Sequence, residues 1–217
     1  MTASIVLHGY WRSSASYRVR MALNLKGLDW ESRPVHLVRD GGEQHREAYR
    51  ALNPQALVPT LELDGLVVTQ SMAMLEYLEE RFPEPALLPE TVDERARVRA
   101  IAQAIACDIH PLNNLRVLGY LVGEVGASEQ AKLAWYRHWT ERGLVQVEAM
   151  LSDGQAGRFC HGDAPGIADC CLLPQVYNAR RFNCSLEALP RIVAICDALE
   201  AVPAIIEAAP EAQTDAE

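Results

Sequence analysis

The sequence predicts an α+β domain at the amino terminus, followed by an all-helical domain. Three observations predict this division: strand and helix patterns alternate up to residue 82, a proline-rich segment follows, and every later periodic segment is helical. Short apolar runs rich in β-branched residues indicate strands, whereas apolar residues three and four positions apart indicate helices. The predicted boundaries are 1–82 for the first domain, 83–92 for a linker and 93–217 for the second domain.

The first domain contains four predicted strands and three predicted helices. The strands lie at 4–8, 30–37, 58–63 and 66–69; the helices run from Ser13 and Ser14 to Gly27, over about 44–51, and from Ser71 onward. Gly27 stops the first helix and Asn53-Pro54 ends the second. Asp64-Gly65 between two apolar runs predicts a tight hairpin. The order β-α-β, connection, β-β-α is that of a thioredoxin-like domain.

The second domain is predicted to be a helical bundle. Its helices are expected at about 93–123, 128–152, 165–182, 187–200 and 203–209, after a linker segment, FPEPALLPETVD, that contains three prolines. Asp169 lies three residues after Gly166, in the position of the acidic half of a capping box, so we expect it to be structural and not catalytic. The final residues, EAQTDAE, are polar and are expected to be disordered.

Composition and charge exclude several classes of function. The formal net charge is -9 and no run is rich in lysine or arginine, so neither nucleic acid nor an anionic membrane is an expected partner. No signal peptide is evident and no apolar run reaches the ~18 residues of a membrane span, which favours the cytoplasm. The six cysteines lack zinc-ligand or C-x-x-C spacing; we expect buried thiols and no metal site.

Five segments together resemble the zeta class of glutathione transferases. They are WRSSASYRVRMALNLKG, ALNPQALVPTLELDG, TQSMAMLEYLEE, CDIHPLNNLRVL and ADCCLLPQVYNARRF. The S-S-x-S-x-R-V-R signature is specific to this class, whereas N-P-x-x-x-V-P followed by Q-S is general to glutathione transferases. The resemblance runs from about residue 5 to residue 210. It implies the glutathione transferase fold, glutathione as the cofactor and a homodimer.

The class includes the maleylacetoacetate and maleylpyruvate isomerases. The resemblance therefore implies a glutathione-dependent cis–trans isomerisation of a maleyl diketo acid, a small dicarboxylate. Maleylacetoacetate, from aromatic amino acid catabolism, is the first candidate substrate, and maleylpyruvate is the alternative. A transferase acting on small α-halo acids would use the same thiolate and arginines. A non-catalytic binding module is a third interpretation, which the retained Ser13 and Ser14 disfavour.

Ser13 and Ser14 stand where the first helix begins. Taken alone, they indicate helix N-caps. Only a few per cent of a free thiol is ionised at neutral pH, so glutathione needs a site that stabilises its thiolate, and a helix N-terminus with a hydroxyl donor provides one. The resemblance implies that Ser13 donates to the sulfur and that Ser14 is its neighbour. Ala15 replaces a cysteine that is common in the family, and no cysteine precedes Cys107, which excludes a protein thiol at this site.

The resemblance implies six more glutathione contacts in the first domain. Val58-Pro59 would be a cis peptide bond that presents the Val58 backbone to the cysteinyl unit. Gln70 and Ser71, at the start of a helix, would hold the γ-glutamyl carboxylate. Gln44 and Gln55 lie at positions that contact the tripeptide in relatives. Without the resemblance, these residues indicate a proline at the start of a strand, a helix cap and surface glutamines.

Arginines are implied to bind the substrate carboxylates. Arg12, which also belongs to the catalytic group with the two serines, and Arg181 match carboxylate-binding arginines of the family, and Arg116 is a further candidate. A planar guanidinium can hold a carboxylate with two parallel hydrogen bonds. His110 and Asn114, from the D-I-H-P-L-N-N-L-R segment, are implied to cover glutathione and substrate. Without the resemblance, each arginine would be a solvated surface charge and His110 an ordinary histidine.

Overall fold

A computed structural model describes residues 3–217. The chain divides into two compact units. The first contains the chain up to Leu87 together with Ala201–Glu217, and the second is Leu88–Glu200. This division falls within the predicted linker, but it places the last 17 residues with the first unit, whereas the sequence placed them in the helical domain.

The first unit is built on a four-stranded sheet with the order β2-β1-β3-β4. The strands are β1 (Ile5–Gly9), β2 (Glu31–Pro34), β3 (Thr60–Leu63) and β4 (Leu66–Thr69). β1 and β2 are parallel, whereas β1–β3 and β3–β4 are antiparallel. β3 starts two residues later than predicted because Pro59 has no N–H for the sheet. Asp64 and Gly65 both have positive φ, as the predicted tight hairpin requires. The thioredoxin-like arrangement is confirmed.

Four α-helices lie in the described part of this unit. They are α1 (Ser14–Leu25), α2 (Glu47–Leu52), α3 (Ser71–Arg81) and α9 (Pro203–Ala208). The core between helices and sheet contains fully buried apolar side chains of α1, α3 and β3, among them Val19, Leu23, Leu61 and Leu75. The helix predicted at 44–51 is a 3₁₀ turn, Glu43–His45, followed by α2.

Three cations of the first helical segment are buried inside this unit. Arg18, Arg20 and Lys26 interrupt the apolar pattern of the sequence, yet each is at most 5% exposed. Lys26 Nζ donates to Glu79 Oε2 at 2.8 Å, to Phe82 O at 2.7 Å and to Pro85 O at 2.9 Å. A buried ammonium needs such compensation. Lys26 therefore ties the end of α1 to the end of α3 and the segment that follows it.

The carboxy-terminal segment packs on α1, and its final residues, EAQTDAE, which were expected to be disordered, are held by hydrogen bonds from Gln213 Nε2 to Glu207 O and Ala209 O. α9 packs on α1, and Ile205, Ala208 and Pro210 are buried. Arg20 Nε donates to Ala208 O at 2.9 Å, and Asn24 Nδ2 donates to Ala204 O at 3.0 Å. Ala208 O is one of the carbonyls that a helix leaves without a partner at its end, and Arg20 supplies its donor. The polarity of this segment did not predict its order, because side chains of another element, Arg20 and Asn24 of α1, hold it in place.

The second unit contains five α-helices: α4 (Val92–Gln103), α5 (Leu115–Gly123), α6 (Glu129–Met150), α7 (Ile167–Arg181) and α8 (Pro190–Leu199). The single helix predicted at 93–123 is interrupted by a π-helical turn, Ala104–Ile109, and a 3₁₀ turn, His110–Asn113. Pro111 explains the interruption because it has no N–H for a helical hydrogen bond. Trp135 Nε1 donates to Leu112 O at 2.7 Å, which fixes the turn.

Asp169 has the structural role predicted from its position. Its Oδ2 accepts from Gly166 N and its Oδ1 from Cys160 N, both at 2.9 Å. Burial raises the pKa of Asp169, and the two backbone N–H groups act in the opposite direction. The carboxyl group therefore joins the start of α7 to the loop before it.

Replacing Asp169 by alanine is expected to lower the free energy of unfolding by about 2 kcal/mol, because two buried N–H groups lose their acceptor. Urea denaturation measures this change. The matched control is Asp163→Ala: this exposed carboxylate accepts from Arg158 N at 3.0 Å, and its loss should cost less than about 0.5 kcal/mol. Activity per folded molecule should be unchanged; unaltered stability with lost turnover would contradict a structural role.

Five of the six cysteines are buried, as predicted, whereas Cys107 is exposed on the π-helical turn. Burial raises the pKa of Cys184 to about 11 and also raises those of Cys160 and Cys196. Within residues 3–217, no cluster of three His, Cys, Asp or Glu side chains could hold a metal ion. None of the helices in that range is long and apolar enough to cross a membrane.

Candidate functional site

Three segments of the first unit meet at one end of the sheet. His8 of β1 pairs with Thr60 of β3, and Thr60 also pairs with Thr69 of β4. The end of β1, the start of β3 and the end of β4 are therefore neighbours. The segments at this end are Tyr10–Ser13, Val58-Pro59 and Gln70-Ser71.

A tight turn from Tyr10 to Ser13 leads into α1. Ser13 N donates to Tyr10 O at 2.9 Å, and Ser13 Oγ accepts from Ser16 N at 3.2 Å as the N-cap. The hydroxyl oxygen is thus an acceptor within the helix, while its own hydrogen can be donated to a ligand. None of the described residues of the first turn of α1 is acidic, so no carboxylate there opposes the positive end of the helix dipole. Ser14 is the first helical residue and is buried.

Residues of the S-S-x-S-x-R-V-R signature hold this turn in place. Tyr10 N donates to Ser16 Oγ at 3.4 Å, and Arg20 Nη2 donates to Trp11 O at 2.8 Å. Gly9 completes the packing, because a Cβ there would lie 3.0 Å from Ser16 Oγ. Ser16 and Arg20 were not predicted to have a role; the signal available was their spacing within the signature.

Arg12 occupies the middle of the turn. Its Nη2 lies 3.4 Å from Tyr10 Oη, and its guanidinium lies 4.8 Å from the centre of the Trp11 ring. Among residues 3–217, no carboxylate lies within ion-pair distance of Arg12. A half-buried cation next to the start of α1 is suited to binding an anionic group.

The start of α3 presents a second group of hydrogen-bond donors that is suited to an anion. Ser71 Oγ accepts from Arg18 Nη1 at 3.2 Å, and Arg18 is only 2% exposed. A guanidinium can only donate, so the Ser71 hydroxyl hydrogen can be donated outward. Gln70 has a φ of 70° and its Nε2 donates to Gln55 Oε1 at 2.7 Å. The structure therefore brings Gln55, Gln70 and Ser71 together, and it adds Arg18, which the sequence did not single out.

The loop before β3 is fixed by a buried hydrogen-bond network. Asn53 Nδ2 and Tyr49 Oη donate to Leu57 O at 2.8 and 2.7 Å, and both side chains reach Thr60 Oγ1. Burial raises the pKa of Tyr49, which keeps its hydroxyl protonated. The Val58-Pro59 bond is cis, as the resemblance implied. Among the described residues, neither the N–H nor the C=O of Val58 has a hydrogen-bond partner, so both can pair with an extended ligand.

Gln44 lies in the 3₁₀ turn Glu43–His45 and is 7% exposed. Its Nε2 donates to Leu37 O at 3.3 Å and lies 3.1 Å from His45 Nε2. Its Oε1 is buried without a partner among residues 3–217. An unsatisfied buried oxygen is costly, so this amide fits a ligand that offers an N–H group.

Four predicted site residues belong to the second unit. His110 begins the 3₁₀ turn, and Asn114 Oδ1 accepts from Arg116 N at 3.1 Å as the N-cap of α5. The side chain of Arg116 is exposed. Arg181 ends α7, where its Nη1 donates to Asn178 Oδ1 at 2.7 Å and its guanidinium lies 5.5 Å from the centre of the Phe182 ring. Their roles in binding remain predictions.

The first unit matches a protein family. The matching model is that of the glutathione S-transferase amino-terminal domain, and it covers residues 7–86. A probable maleylacetoacetate isomerase of Vibrio cholerae is 50% identical over 214 residues, which are 98% of this chain and 99% of the relative. The similarity therefore extends through both units.

Solved structures are similar over the same length. The holo structure of a maleylpyruvate isomerase, a bacterial zeta-class glutathione S-transferase, has a TM-score of 0.94 and 47% identity over 98% of this chain and 100% of that chain. A maleylacetoacetate isomerase of Anaeromyxobacter dehalogenans 2CP-1 with glutathione in its active site has a TM-score of 0.89 and 45% identity over 100% and 99% of the two chains. Another structure of that isomerase holds dicarboxyethyl glutathione and citrate in the active site.

Proposed function

The chain belongs to the zeta class of the glutathione S-transferase family, and from this membership we propose that it isomerises a maleyl diketo acid with glutathione as cofactor. The product is the trans, fumaryl isomer. We assign maleylacetoacetate as the substrate because the relative with 50% identity is named for that reaction. Maleylpyruvate is the second candidate, because the zeta-class structure with a TM-score of 0.94 is a maleylpyruvate isomerase.

The start of α1 is the observation that carries this proposal. Bound glutathione supplies a thiolate that adds reversibly to a cis double bond, so that the bond can rotate before the thiolate leaves. The chain must keep that sulfur ionised, and Ser13 and the N-terminus of α1 provide a hydroxyl hydrogen and a partial positive charge for this purpose. Ser14 supports the same helix start.

The remaining residues of the first unit hold the tripeptide. We propose that the Val58 backbone pairs with the cysteinyl unit and that Pro59 fixes the backbone in that orientation. Ser71 and the N-terminus of α3 bind the γ-glutamyl carboxylate, with the charge of Arg18 behind them. Gln70, Gln55 and Gln44 provide amide groups for the rest of the peptide. The unpartnered Oε1 of Gln44 and the unpaired Val58 backbone support this assignment.

Substrate carboxylates require cations. We propose that Arg12, Arg116 and Arg181 bind them and that His110 and Asn114 cover the bound molecules. The citrate in the active site of the Anaeromyxobacter dehalogenans relative supports a site for carboxylates in this family. Fixed guanidinium groups would also stabilise the charge that develops on the substrate when the sulfur adds.

Ala15 restricts the chemistry at this site. It has no thiol, and no cysteine precedes Cys107, so the start of α1 carries no protein thiol. The nucleophile must therefore come from glutathione, which disfavours redox reactions that need a protein thiol beside Ser13. Transfer of glutathione to small α-halo acids would use the same groups and is an outcome of the assay below.

The direct test is incubation of the purified protein with glutathione and each maleyl diketo acid, with the fumaryl product followed in time. We expect turnover that depends on glutathione without consuming it. Consumption of glutathione with an α-halo acid, and no isomerisation of either maleyl acid, would overturn the isomerase assignment in favour of the transferase. Glutathione binding with no turnover would favour a binding module.

Replacing either Arg12 or Arg181 by alanine is expected to raise KM for the maleyl acid about tenfold, because each loses a charged hydrogen bond to a carboxylate. Steady-state kinetics measure the change. Arg50→Ala, on the exposed surface of α2, is the matched control and should behave as wild type. Unchanged isomerisation in both site variants would contradict the carboxylate-binding role.

We also propose that the enzyme is a cytoplasmic homodimer. The six cysteines form no disulfide and five of them are buried, which supports a reducing compartment. The dimer rests on family membership alone. Light scattering of the purified protein would measure its mass, and a monomer at working concentrations would contradict the proposal.

A further inference from the structure

Besides its two contacts with α1, the tail binds the turn before α1. Asp215 Oδ2 accepts from Trp11 N at 3.1 Å, across 204 positions of sequence. Ser16 binds Tyr10 N and Arg20 binds Trp11 O. Three side chains therefore bind polar backbone groups at the start of the turn. One of the three, Asp215, belongs to the carboxy-terminal tail.

Asp215 is itself held in place from both sides. Before it, Gln213 Nε2 donates to Glu207 O at 3.0 Å and to Ala209 O at 2.9 Å, which fixes the tail on the end of α9. After it, Glu217 Oε1 lies 2.5 Å from Arg39 Nη2 and 3.3 Å from His36 Nε2. A carboxylate fixed in this way limits the movement of the group that it binds.

The turn is where small displacements affect chemistry most. Trp11 directly precedes Arg12 and Ser13, and the guanidinium of Arg12 lies over the ring of Trp11. If the Trp11 amide shifts, both side chains shift with it. Catalytic groups need placement within fractions of an ångström, and loss of that placement lowers the rate even when every group is still present.

We propose that Asp215 is a positioning residue of the active site, which acts through the Trp11 backbone to hold Arg12 and Ser13. This inference rests on the proposed function of that site. The tail then contributes to the glutathione site by positioning its residues.

The charge of Asp215 and its hydrogen bond have opposite effects on the thiol. A carboxylate beside the site disfavours a nearby thiolate and raises the pKa of the bound thiol, whereas a correctly placed Ser13 lowers it. Asp215→Asn removes the charge and keeps an oxygen that can accept from Trp11 N. Asp215→Ala removes both. The comparison of the two variants isolates the hydrogen bond.

The experiment measures the thiol pKa of bound glutathione by its ultraviolet thiolate absorbance, glutathione affinity by calorimetry, and kcat and KM for isomerisation. For Asp215→Ala we expect a higher thiol pKa than for Asp215→Asn, and kcat/KM about fivefold below wild type with most of the loss in kcat. Asp215→Asn should retain kcat/KM within about twofold of wild type. Glu207→Ala, which removes an exposed carboxylate of α9 and keeps the backbone oxygen that Gln213 binds, is the matched control.

Equal thiol pKa and equal kinetics in Asp215→Ala and Asp215→Asn would overturn the inference. So would losses of the same size in Asp215→Ala and Glu207→Ala, since they would show that the loss of any carboxylate from this segment has the same effect. Thiol pKa and glutathione affinity do not depend on the maleyl substrate. They therefore test Asp215 even if wild type isomerises neither acid and the proposed function fails.

Discussion

Replacing Ser13 by alanine is expected to lower kcat/KM for isomerisation about a hundredfold at pH 7. This is the usual cost of removing one donor from a site that stabilises an anion. The loss should appear as a pKa of the bound glutathione thiol about 1 to 2 units higher, because the hydroxyl hydrogen no longer reaches the sulfur. Activity should then recover as the pH is raised towards the new pKa. A pH series of kcat/KM together with thiolate absorbance measures both effects.

The same substitution also removes a helix cap. Ser13 Oγ accepts from Ser16 N, so alanine should lower the free energy of unfolding by about 1 kcal/mol. Ser13→Thr separates the two roles, because threonine retains a hydroxyl that can cap the helix and donate to sulfur. We expect Ser13→Thr to keep most of the stability and most of the activity.

Ser14→Ala is the second control for the thiol assignment. Ser14 lies one position into α1 and is buried, while Ser13 sits at the cap with its hydroxyl hydrogen available. We expect Ser14→Ala to leave the thiol pKa close to that of wild type. Activity lost in Ser14→Ala and retained in Ser13→Ala would reverse the assignment.

Replacing Lys26 by methionine is expected to lower the free energy of unfolding by about 3 to 5 kcal/mol. Removal of one partner from a buried ion pair leaves an uncompensated charge, which is the main cost. The side chains of Lys26 and Glu79 are 0% and 7% exposed, and Glu79 Oε2 also accepts from Leu87 N at 2.9 Å. Phe82 O and Pro85 O would lose their donor as well. Urea denaturation followed by tryptophan fluorescence measures the change.

The double variant Lys26→Met with Glu79→Met is the control for this explanation. It removes both charges, so it should be more stable than Lys26→Met alone, although the backbone groups at the end of α3 still lack partners. A double variant that loses the sum of the two single effects would show that the ion pair is not the source of the stability. Lys26 lies at the opposite end of α1 from Ser13, so kcat per folded molecule should not change.

Local patterns were enough to predict much of the fold. The Asp64-Gly65 hairpin, the cap at Ser13 and the helix starting at Ser71 depend on residues within a few positions of one another. Propensity and spacing detect such features directly. The cis bond at Val58-Pro59 came from the resemblance and not from local chemistry.

Long-range contacts could not be predicted in this way. Arg18 and Ser71 are 53 positions apart, and Asp215 and Trp11 are 204 positions apart, so no periodic pattern connects them. The polar composition of EAQTDAE predicts disorder for Asp215. The sequence does not show which hydrogen-bond donors this segment meets in the folded protein. The interruption at Pro111 was missed because helical patterns lie on both sides of it, at α4 and α5.

The exposed thiol of Cys107 gives the enzyme one position for chemical labelling. The other five cysteines are buried, and burial raises the pKa of three of them, so a thiol-reactive dye should label a single site on the folded protein. That site lies on the π-helical turn, three residues before His110. A fluorophore there would report on this turn while glutathione and substrate bind, without any cysteine having to be removed.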